Sequence, residues 1–410
     1  MLFLCLALVG SGSALAQDAP SCGGSDWFVV QQNQLTGGRL SLLCKGELDA
    51  AEDNRKAAET ELGAVIAGSP QSAEAYAAHS TLAHFYLRIG RFRDANDQIH
   101  AMLMARPTAP DLLNVQSLFA LLASSPDFTI ARSTPASVST RVIDGNVFAP
   151  LTIGGSARAY VLDTGLNLSM MSESEAKSLG LTPQTSTTSM TDISGLASSS
   201  VRIVQVDRLT VGATELRHIP FLVVDDTNGA FVGIPPGQRG ILGIQPLLAL
   251  GTLEFRKDGT LRIGGQAEMG SVTAPILFAG EMPLSQIAYR NRSYTVTFDM
   301  GATQTTFGPI FAKLYPEVLK QGKGERHTMN GISGSTNQRS VSLAHLKLLF
   351  GRQVDLSPAT ILLDETTGSS AYAVANLGYD LMQQAKPFTI DFHQRRIDFP
   401  TSLSHAKAHK

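Results

Sequence analysis

Two apolar runs in this chain each end in an Asp that is followed, two positions on, by a Gly. The first run is residues 160–165 (YVLDTG) and the second is residues 294–302 (YTVTFDMGA). A short apolar run rich in β-branched residues is typical of a buried strand. The Thr and Gly after Asp163 indicate a tight turn that holds the carboxylate at a fixed angle. A single Asp-Thr-Gly is also ordinary turn chemistry, so the second copy is what gives the pattern its meaning.

The two copies also agree in the landmarks that follow each Asp. An Ile-Ser-Gly triplet begins 30 residues after Asp163 and 33 residues after Asp299. The triplets Ile241-Leu242-Gly243 and Asn376-Leu377-Gly378 place their Gly 80 and 79 residues after the respective Asp. Each copy then closes with a strand-turn-strand pattern, at residues 251–263 and 388–399. Landmarks in one order at nearly equal spacing predict an internal duplication.

This order of motifs resembles the retropepsin-like aspartic proteases, over roughly residues 138–400. In that family the Asp-Thr-Gly element carries the catalytic Asp, a Gly-containing hairpin forms the flap over the substrate, and the apolar-Gly element packs beneath the catalytic loop. Retroviral members carry one copy and dimerise, whereas pepsins carry two lobes in one chain. The resemblance implies a mainly β, bilobal, aspartic-protease-like double barrel made of two fused units and preceded by an α-helical region.

The resemblance also implies a role for individual residues. Asp163 and Asp299 are the expected catalytic pair, so that one chain holds a complete site. The expected supporting residues are Thr164, Gly165 and Gly301 in the catalytic loops, Ser194, Gly195, Ser333 and Gly334 at the flap tips, and Leu242-Gly243 and Leu377-Gly378 beneath the loops. Flap backbone amides meet an extended substrate as an added strand would. No cofactor and no metal ligand set is expected.

Two facing carboxylates carry a defined chemistry. When they lie about 3 Å apart they cannot both ionise easily, so they share one proton and their apparent pKa values separate. The ionised member takes a proton from a water molecule held between them, and the protonated member hydrogen-bonds the carbonyl oxygen of the peptide. The predicted function is therefore an aspartic endopeptidase that hydrolyses extended polypeptide.

Two residues of the catalytic loops, Met300 and Leu166, depart from the family pattern. Met300 lacks the hydroxyl that would lock the two loops from the second lobe. Leu166 matches neither the pepsin nor the retroviral type, whereas Ala302 matches the retroviral type, and neither side chain can donate a hydrogen bond to its neighbouring carboxylate. These departures leave an alternative function, an inactive protease fold that binds peptide. They also leave open a duplicated β domain whose Asp residues only form turns.

The start of the chain predicts export. Residues 1–16 are apolar and small and end in Ala14-Leu15-Ala16, which is typical of a secretory signal peptide. We therefore expect a secreted or periplasmic protein. No stretch of the sequence has the length and hydrophobicity of a membrane-spanning helix. The 33 basic and 35 acidic residues give a net charge of −2, so neither nucleic acid nor an anionic membrane is the expected partner.

Cysteine content adds one expected crosslink. Cys5 would be removed with the signal peptide, which leaves Cys22 and Cys44. An even pair in an exported chain predicts a disulfide between them. The alternative is two unpaired buried thiols.

The remaining sequence predicts a helical region ahead of the lobes. Residues from about 46 to 125 are rich in Ala, Leu and Glu, and some fall at offsets similar to those of a tetratricopeptide repeat, with Gly90 at the turn between two helices. The expected helical, tetratricopeptide-like region is residues 17–125. Such a region either binds a protein partner or is a structural spacer, and the scattered His84 and His100 are expected at its surface. The expected order continues with a linker at 126–139, a first lobe at 140–268, a second lobe at 269–400 and a tail at 401–410.

Overall fold

The computed structural model describes Cys22 and residues 26–188, 190–191, 197–198, 201–265, 272–330, 335–364 and 373–399. The predicted signal peptide and the predicted tail lie outside these ranges. Within them, no helix combines the length and the apolar character needed to cross a membrane.

Six helices come first, and consecutive helices pack side by side. They are α1 Trp27–Leu35, α2 Leu42–Ala51, α3 Arg55–Gly68, α4 Ala73–Arg88, α5 Phe92–Ala105 and α6 Pro110–Ala123. Ser41 and Ser72 begin α2 and α4, because each hydroxyl accepts a backbone N–H three residues on. Gly90 turns the chain between α4 and α5 at φ +75°, where a side chain would also strike Phe128.

The helices pack against both lobes. The helical core is continuous with first-lobe residues such as Val201 and Ile203. Arg395 of the second lobe donates a hydrogen bond to the Asn54 side chain at 2.8 Å. The His84 side chain is only 19% exposed and lies 3.0 Å from a carboxylate oxygen of Glu281. The expectation that His84 is a surface residue was therefore wrong, because α4 lies in the contact between the helices and the second lobe.

The first lobe is built around a closed ring of six strands. The elements up to the end of the lobe are β1 Thr129–Arg132, β2 Ala136–Ser139, β3 Arg141–Ile143, β4 Asn146–Ile153, β5 Ser156–Leu162, β6 Ser169–Ser172, α7 Glu173–Ser178, β7 Gln184–Ser186, β8 Met190–Thr191, β9 Ala197–Ser198, β10 Val201–Val211, β11 Thr214–Val224, β12 Gly240–Leu242, α8 Ile244–Leu250, β13 Thr252–Phe255 and β14 Thr260–Ile263. The order of strands in the ring is β11-β6-β12-β5-β4-β10, and the ring closes because β10 pairs with β11 over most of their length.

The second lobe repeats the pairing pattern of the first. Its elements are β15 Val272–Pro275, β16 Leu277–Ala279, β17 Met282–Tyr289, β18 Arg292–Phe298, β19 Thr306–Phe307, α9 Pro309–Leu314, α10 Pro316–Leu319, β20 Lys323–Asn330, β21 Ser335–Leu343, β22 Leu346–Phe350, β23 Arg352–Leu356, β24 Ala359–Leu362, β25 Ala375–Leu377, α11 Tyr379–Ala385, β26 Phe388–Asp391 and β27 Arg396–Phe399. The parallel pair β5–β12 corresponds to β18–β25, and the parallel pair β6–β11 corresponds to β19–β24. The duplication seen in the sequence is thus a duplication of topology.

A third sheet joins the two lobes. Its strand order is β15-β27-β26-β13-β14-β2, so the strand-turn-strand patterns that close the two copies pair with one another. Strand β2 joins this sheet and β1 joins the first-lobe sheet, although both lie in the segment that the sequence analysis assigned to a linker. The predicted fold class, a mainly β double barrel preceded by helices, is confirmed.

Candidate active site

Each Asp of the predicted pair begins a turn directly after a buried strand. Asp163 follows β5 and Asp299 follows β18, and both side chains are fully buried. The backbone N–H of Gly165 donates to Asp163 Oδ1 at 2.8 Å, and that of Gly301 donates to Asp299 Oδ1 at 3.0 Å. These bonds fix the angle of each carboxylate, as the Asp-x-Gly pattern predicted.

The two turns face each other across the lobe interface. A Cβ atom added to Gly301 would lie 2.1 Å from Asp163 Cγ, and one added to Gly165 would lie 2.6 Å from Asp299 Oδ1. Each carboxyl group thus lies against the glycine of the opposite turn, across the lobe interface. Glycine is therefore needed in each turn because the opposite carboxylate occupies the space of a side chain.

The Thr164 side chain crosses from the first lobe to the second. Its hydroxyl donates to the Phe298 carbonyl oxygen at 2.8 Å and accepts from the Met300 backbone N–H at 3.0 Å. Met300 itself is fully buried and belongs to the apolar core that spans both lobes. The hydrogen bonds that join the two catalytic loops thus come from a single side chain, that of Thr164, and Met300 takes part only through its backbone N–H.

The elements beneath the turns support them in the same way in both lobes. The backbone N–H of Asp163 donates to the Leu242 carbonyl oxygen at 2.9 Å, and that of Asp299 donates to the Leu377 carbonyl oxygen at 3.0 Å. A Cβ atom on Gly243 would lie 2.5 Å from the Leu166 carbonyl oxygen. This close backbone approach explains the Gly at the end of each triplet.

The arrangement so far is two duplicated lobes that bring one buried Asp each to a common interface. Residues 149–245, which include Asp163 and its supporting Leu242-Gly243, match the model of the aspartyl protease family. The chain has the fold of a two-lobed aspartic protease. The matched residues lie within the first lobe and make up less than half of the chain.

Two solved structures are similar to this aspartic-protease fold. Basic 7S globulin from soybean is 11% identical in sequence, with a TM-score of 0.38; the match covers 68% of this chain and 98% of the globulin chain. A retropepsin-like aspartic protease from Rickettsia conorii is 13% identical, with a TM-score of 0.24; that match covers 34% of this chain and 94% of the other. No curated protein matches the sequence.

Burial sets the protonation of the pair. Burial raises the pKa of Asp163 well above its usual range, and the negative charge of the adjacent Asp299 raises it further. Burial also raises the pKa of Asp299, but the side-chain N–H of Asn376 and the backbone N–H of Ala302 stabilise its charged form and oppose the rise. Two carboxyl groups that interact in this way titrate as a pair, and their apparent pKa values belong to the pair.

The protease fold contains one site residue that sequence reasoning missed. The sequence analysis found no side-chain donor for the carboxylates at Leu166 or Ala302, and both of these side chains are buried and apolar. Asn376 nevertheless donates from Nδ2 to Asp299 Oδ2 at 3.1 Å. The signal was present in the second triplet, where Asn376 replaces the Ile241 of the first.

A cavity of about 210 Å³ lies beside Asp163. Its lining combines apolar side chains with polar ones. It consists of Asn146, Phe148, Val161, Asp163, Gly229, Ala230, Phe231, Ile234, Gln238, Gly240, Ile241, Gly301 and Thr303. The candidate catalytic Asp163 thus borders this recess and is the one titratable residue of its lining.

The predicted flap tips Ser194, Gly195, Ser333 and Gly334 lie outside the described residues. In the chain they are flanked by antiparallel strand pairs, β8 with β9 and β20 with β21. The described part of the chain contains no cluster of His, Cys, Asp and Glu residues suited to a metal ion.

Cys22 and Cys44 are joined in a disulfide, with their Cα atoms 5.0 Å apart. The bond ties the chain ahead of α1 to the buried face of α2, where Glu47 Oε2 also accepts the Cys22 backbone N–H at 3.0 Å. Burial raises the pKa of that Glu47 carboxyl to about 7.

Proposed function

We propose that this chain is an exported aspartic endopeptidase, which hydrolyses peptide bonds of extended polypeptide with a water molecule activated between Asp163 and Asp299. The observation that carries the proposal is the placement of two fully buried carboxyl groups, one from each lobe, each against the glycine of the opposite turn. Buried carboxylates without a countercharge are costly, so two of them placed together at a cleft favour a catalytic over a structural role.

The reaction needs only these two groups and water. The ionised carboxylate takes a proton from the water, whose oxygen forms a bond to the peptide carbonyl carbon while the protonated carboxyl gives its proton to the carbonyl oxygen. The tetrahedral product then breaks its C–N bond as the carboxyl that took the water proton donates that proton to the leaving nitrogen. One hydroxyl of the tetrahedral product returns its proton to the other carboxylate. One carboxylic acid and one amine result, and the pair again holds one proton.

Export and a single-chain site belong to the same proposal. The apolar residues 1–16 and the Cys22–Cys44 disulfide support an oxidising compartment. Because each lobe contributes one Asp, one chain suffices for the site. The helical region, which packs on both lobes, is the proposed place for a protein partner.

The test is peptide hydrolysis by the mature chain from residue 17. We expect cleavage of casein or of a mixed peptide library, read by mass spectrometry, and inhibition by a pepstatin-type compound. Asp163→Asn and Asp299→Asn should each remove nearly all turnover, and the double variant should be little worse than either, because residues acting as one unit are not additive. The exposed Asp258→Asn is the matched control and should retain activity.

Concentration and binding separate this proposal from its alternatives. Specific activity should stay constant on dilution, because no second chain is needed. Near-normal turnover by Asp299→Asn would overturn the paired mechanism. If peptide binds tightly but is not cleaved at any pH, the chain is instead an inactive protease fold that binds peptide. This is the alternative function that the departures at Leu166 and Met300 left open.

A further inference from the structure

The two carboxylates of the pair have different surroundings. Asp299 Oδ2 accepts the Asn376 Nδ2 hydrogen bond at 3.1 Å, and the Asn376 Oδ1 is in turn hydrogen-bonded to the Thr297 hydroxyl. Asp299 and Thr297 are fully buried and Asn376 is 8% exposed, so water does not compete for these bonds. The Thr297 hydroxyl, the Asn376 amide and the Asp299 carboxylate therefore form a continuous polar relay that ends on Asp299.

The first lobe has an apolar pair in the place of this relay. In the parallel pairing of β18 with β25, Thr297 lies opposite Asn376. In the equivalent pairing of β5 with β12, Val161 lies opposite Ile241. Neither side chain carries a hydrogen-bonding group. Asp163 Oδ2 is correspondingly buried without a hydrogen-bond donor among the described residues.

The chemistry of the relay fixes which way the Asn376 amide points. An ionised carboxylate only accepts hydrogen bonds, so it requires the NH₂ group of Asn376 and leaves the amide oxygen for Thr297. The Thr297 hydroxyl can donate to that oxygen. If Asp299 were protonated, its O–H and the Asn376 NH₂ would be two donors that face each other, and the NH₂ group would lose its acceptor.

We propose that Asn376 is a positioning residue that keeps Asp299 as the ionised member of the pair and so leaves the shared proton on Asp163. Asp299 is then the base that takes a proton from water, and Asp163 is the acid toward the substrate carbonyl. The catalytic consequence rests on the proposed peptidase function. The protonation states do not, since they are properties of the folded chain without substrate.

Few other charges reach the pair among the described residues. Asp163 is the titratable side chain that faces Asp299 across the lobe interface. Asp380, on the helix α11 that packs beneath the turn, accepts hydrogen bonds from Thr305 rather than from the pair. On the first-lobe side, Asn167 links the loop after Asp163 to Glu281, which is paired with His84. None of these groups supplies Asp299 with a second side-chain donor.

The energetic direction agrees with the geometry. Burial raises the pKa of both carboxyls, but Asp163 is raised further because it also meets the charge of Asp299 and receives only the Gly165 N–H. Asp299 receives N–H groups from Gly301, Ala302 and Asn376. Each such bond to the charged form lowers a carboxyl pKa, by roughly one unit.

The decisive variant is Asn376→Ile, which copies the first lobe. The chain is labelled with ¹³C at the Asp carboxyl carbon, and the signals of the pair are assigned by their loss in Asp163→Asn and Asp299→Asn. In the wild type the carboxyl that ionises at lower pH should be Asp299. In Asn376→Ile the titration midpoint of Asp299 should rise by roughly one pH unit. The pH at which kcat/KM falls on the acidic side of its profile should shift upward by the same amount.

Two further variants keep the test decisive if Asn376→Ile does not fold. Thr297→Val has nearly the same shape and removes only the hydroxyl that orients Asn376, so it should raise the Asp299 midpoint by a smaller amount. Ile241→Asn combined with Asn376→Ile moves the relay to the first lobe and should make Asp163 the lower-titrating group. A control, Thr152→Val, should leave both midpoints unchanged.

The outcomes separate this inference from the proposed function. Midpoints that stay in place in folded Asn376→Ile and Thr297→Val, or a wild type in which Asp163 ionises first, would overturn the role of Asn376 even if the chain is an active peptidase. Midpoints that move as expected in a chain without peptidase activity would retain the role of Asn376 in ordering the pair and reject the peptidase.

Discussion

Thr164 of the first lobe donates a hydrogen bond to the carbonyl oxygen of Phe298 in the second, at 2.8 Å. The same hydroxyl accepts the Met300 N–H, so one side chain joins the strand that precedes Asp299 to the turn that follows it. Both bonds are buried. They set the relative position of the two carboxylates, because each Asp is fixed to its own turn.

Thr164→Val should therefore separate the catalytic loops. We expect a loss of about 1–3 kcal/mol in the free energy of unfolding, because a buried carbonyl and a buried N–H lose their partner. Turnover should fall more steeply than substrate binding. Urea unfolding and peptide hydrolysis measure the two effects, and Thr152→Val, a half-buried strand position outside the catalytic loops, is the control. An unchanged unfolding midpoint would contradict the lock.

Met300→Thr should destabilise the protein. The sequence analysis treated Met300 as the missing half of the lock, but the side chain fills the core and Thr164 already bonds both backbone groups. Truncating a buried Met leaves a cavity and costs about 2–5 kcal/mol. Met300→Leu conserves volume and should cost less than about 1.5 kcal/mol. A higher melting temperature for Met300→Thr than for the wild type would show that a second hydroxyl is accepted.

Gly301→Ala should abolish turnover. The added Cβ would lie 2.1 Å from Asp163 Cγ, so the two carboxylates must move apart. Gly165→Ala should act in the same way on Asp299, from 2.6 Å. Gly63→Ala is the matched control, because nothing lies within 4 Å of a Cβ there and alanine favours the helix α3 by about 1 kcal/mol. Activity retained in Gly301→Ala would refute the close approach.

Asp163→Asn should become increasingly more stable than the wild type as the pH rises. Burial raises the pKa of Asp163 in the folded chain, whereas in the unfolded chain the group ionises near about pH 4. Between these values the unfolded state has lost its proton and the folded state has not, so wild-type stability falls with pH and the variant is spared. The melting-temperature difference should be small at pH 4 and larger at pH 7. Asp258→Asn, an exposed Asp whose pKa is lowered by the Thr260 N–H, should show no such gain.

Reduction of the Cys22–Cys44 disulfide should weaken the helical region. A crosslink across a chain segment of this length contributes about 3 kcal/mol. Mass spectrometry of the mature protein without reductant should show the loss of two hydrogens, and a reductant should lower the melting temperature of the wild type. The Cys22→Ser/Cys44→Ala variant should not respond to reductant. Two free thiols in the exported protein would contradict the crosslink.

The sequence by itself determined the duplication, the order of motifs and the two turns that begin with Asp163 and Asp299. These features are local or periodic: an apolar strand predicts burial, and Asp-x-Gly folds its own carboxylate onto the backbone two residues on. The nearly equal spacing of landmarks in the two copies then predicted that each lobe contributes one carboxylate.

Only the tertiary structure decided what each carboxylate touches. Asn376 reaches Asp299 across 77 residues of sequence because β18 and β25 pair in parallel, and Thr164 reaches Phe298 across 134 because the lobes pack face to face. The packing of the two lobes also places the Met300 side chain in the apolar core that spans them. A buried carboxylate responds to every donor and charge around it, and those neighbours are brought together by strand register and lobe packing rather than by the adjacent sequence.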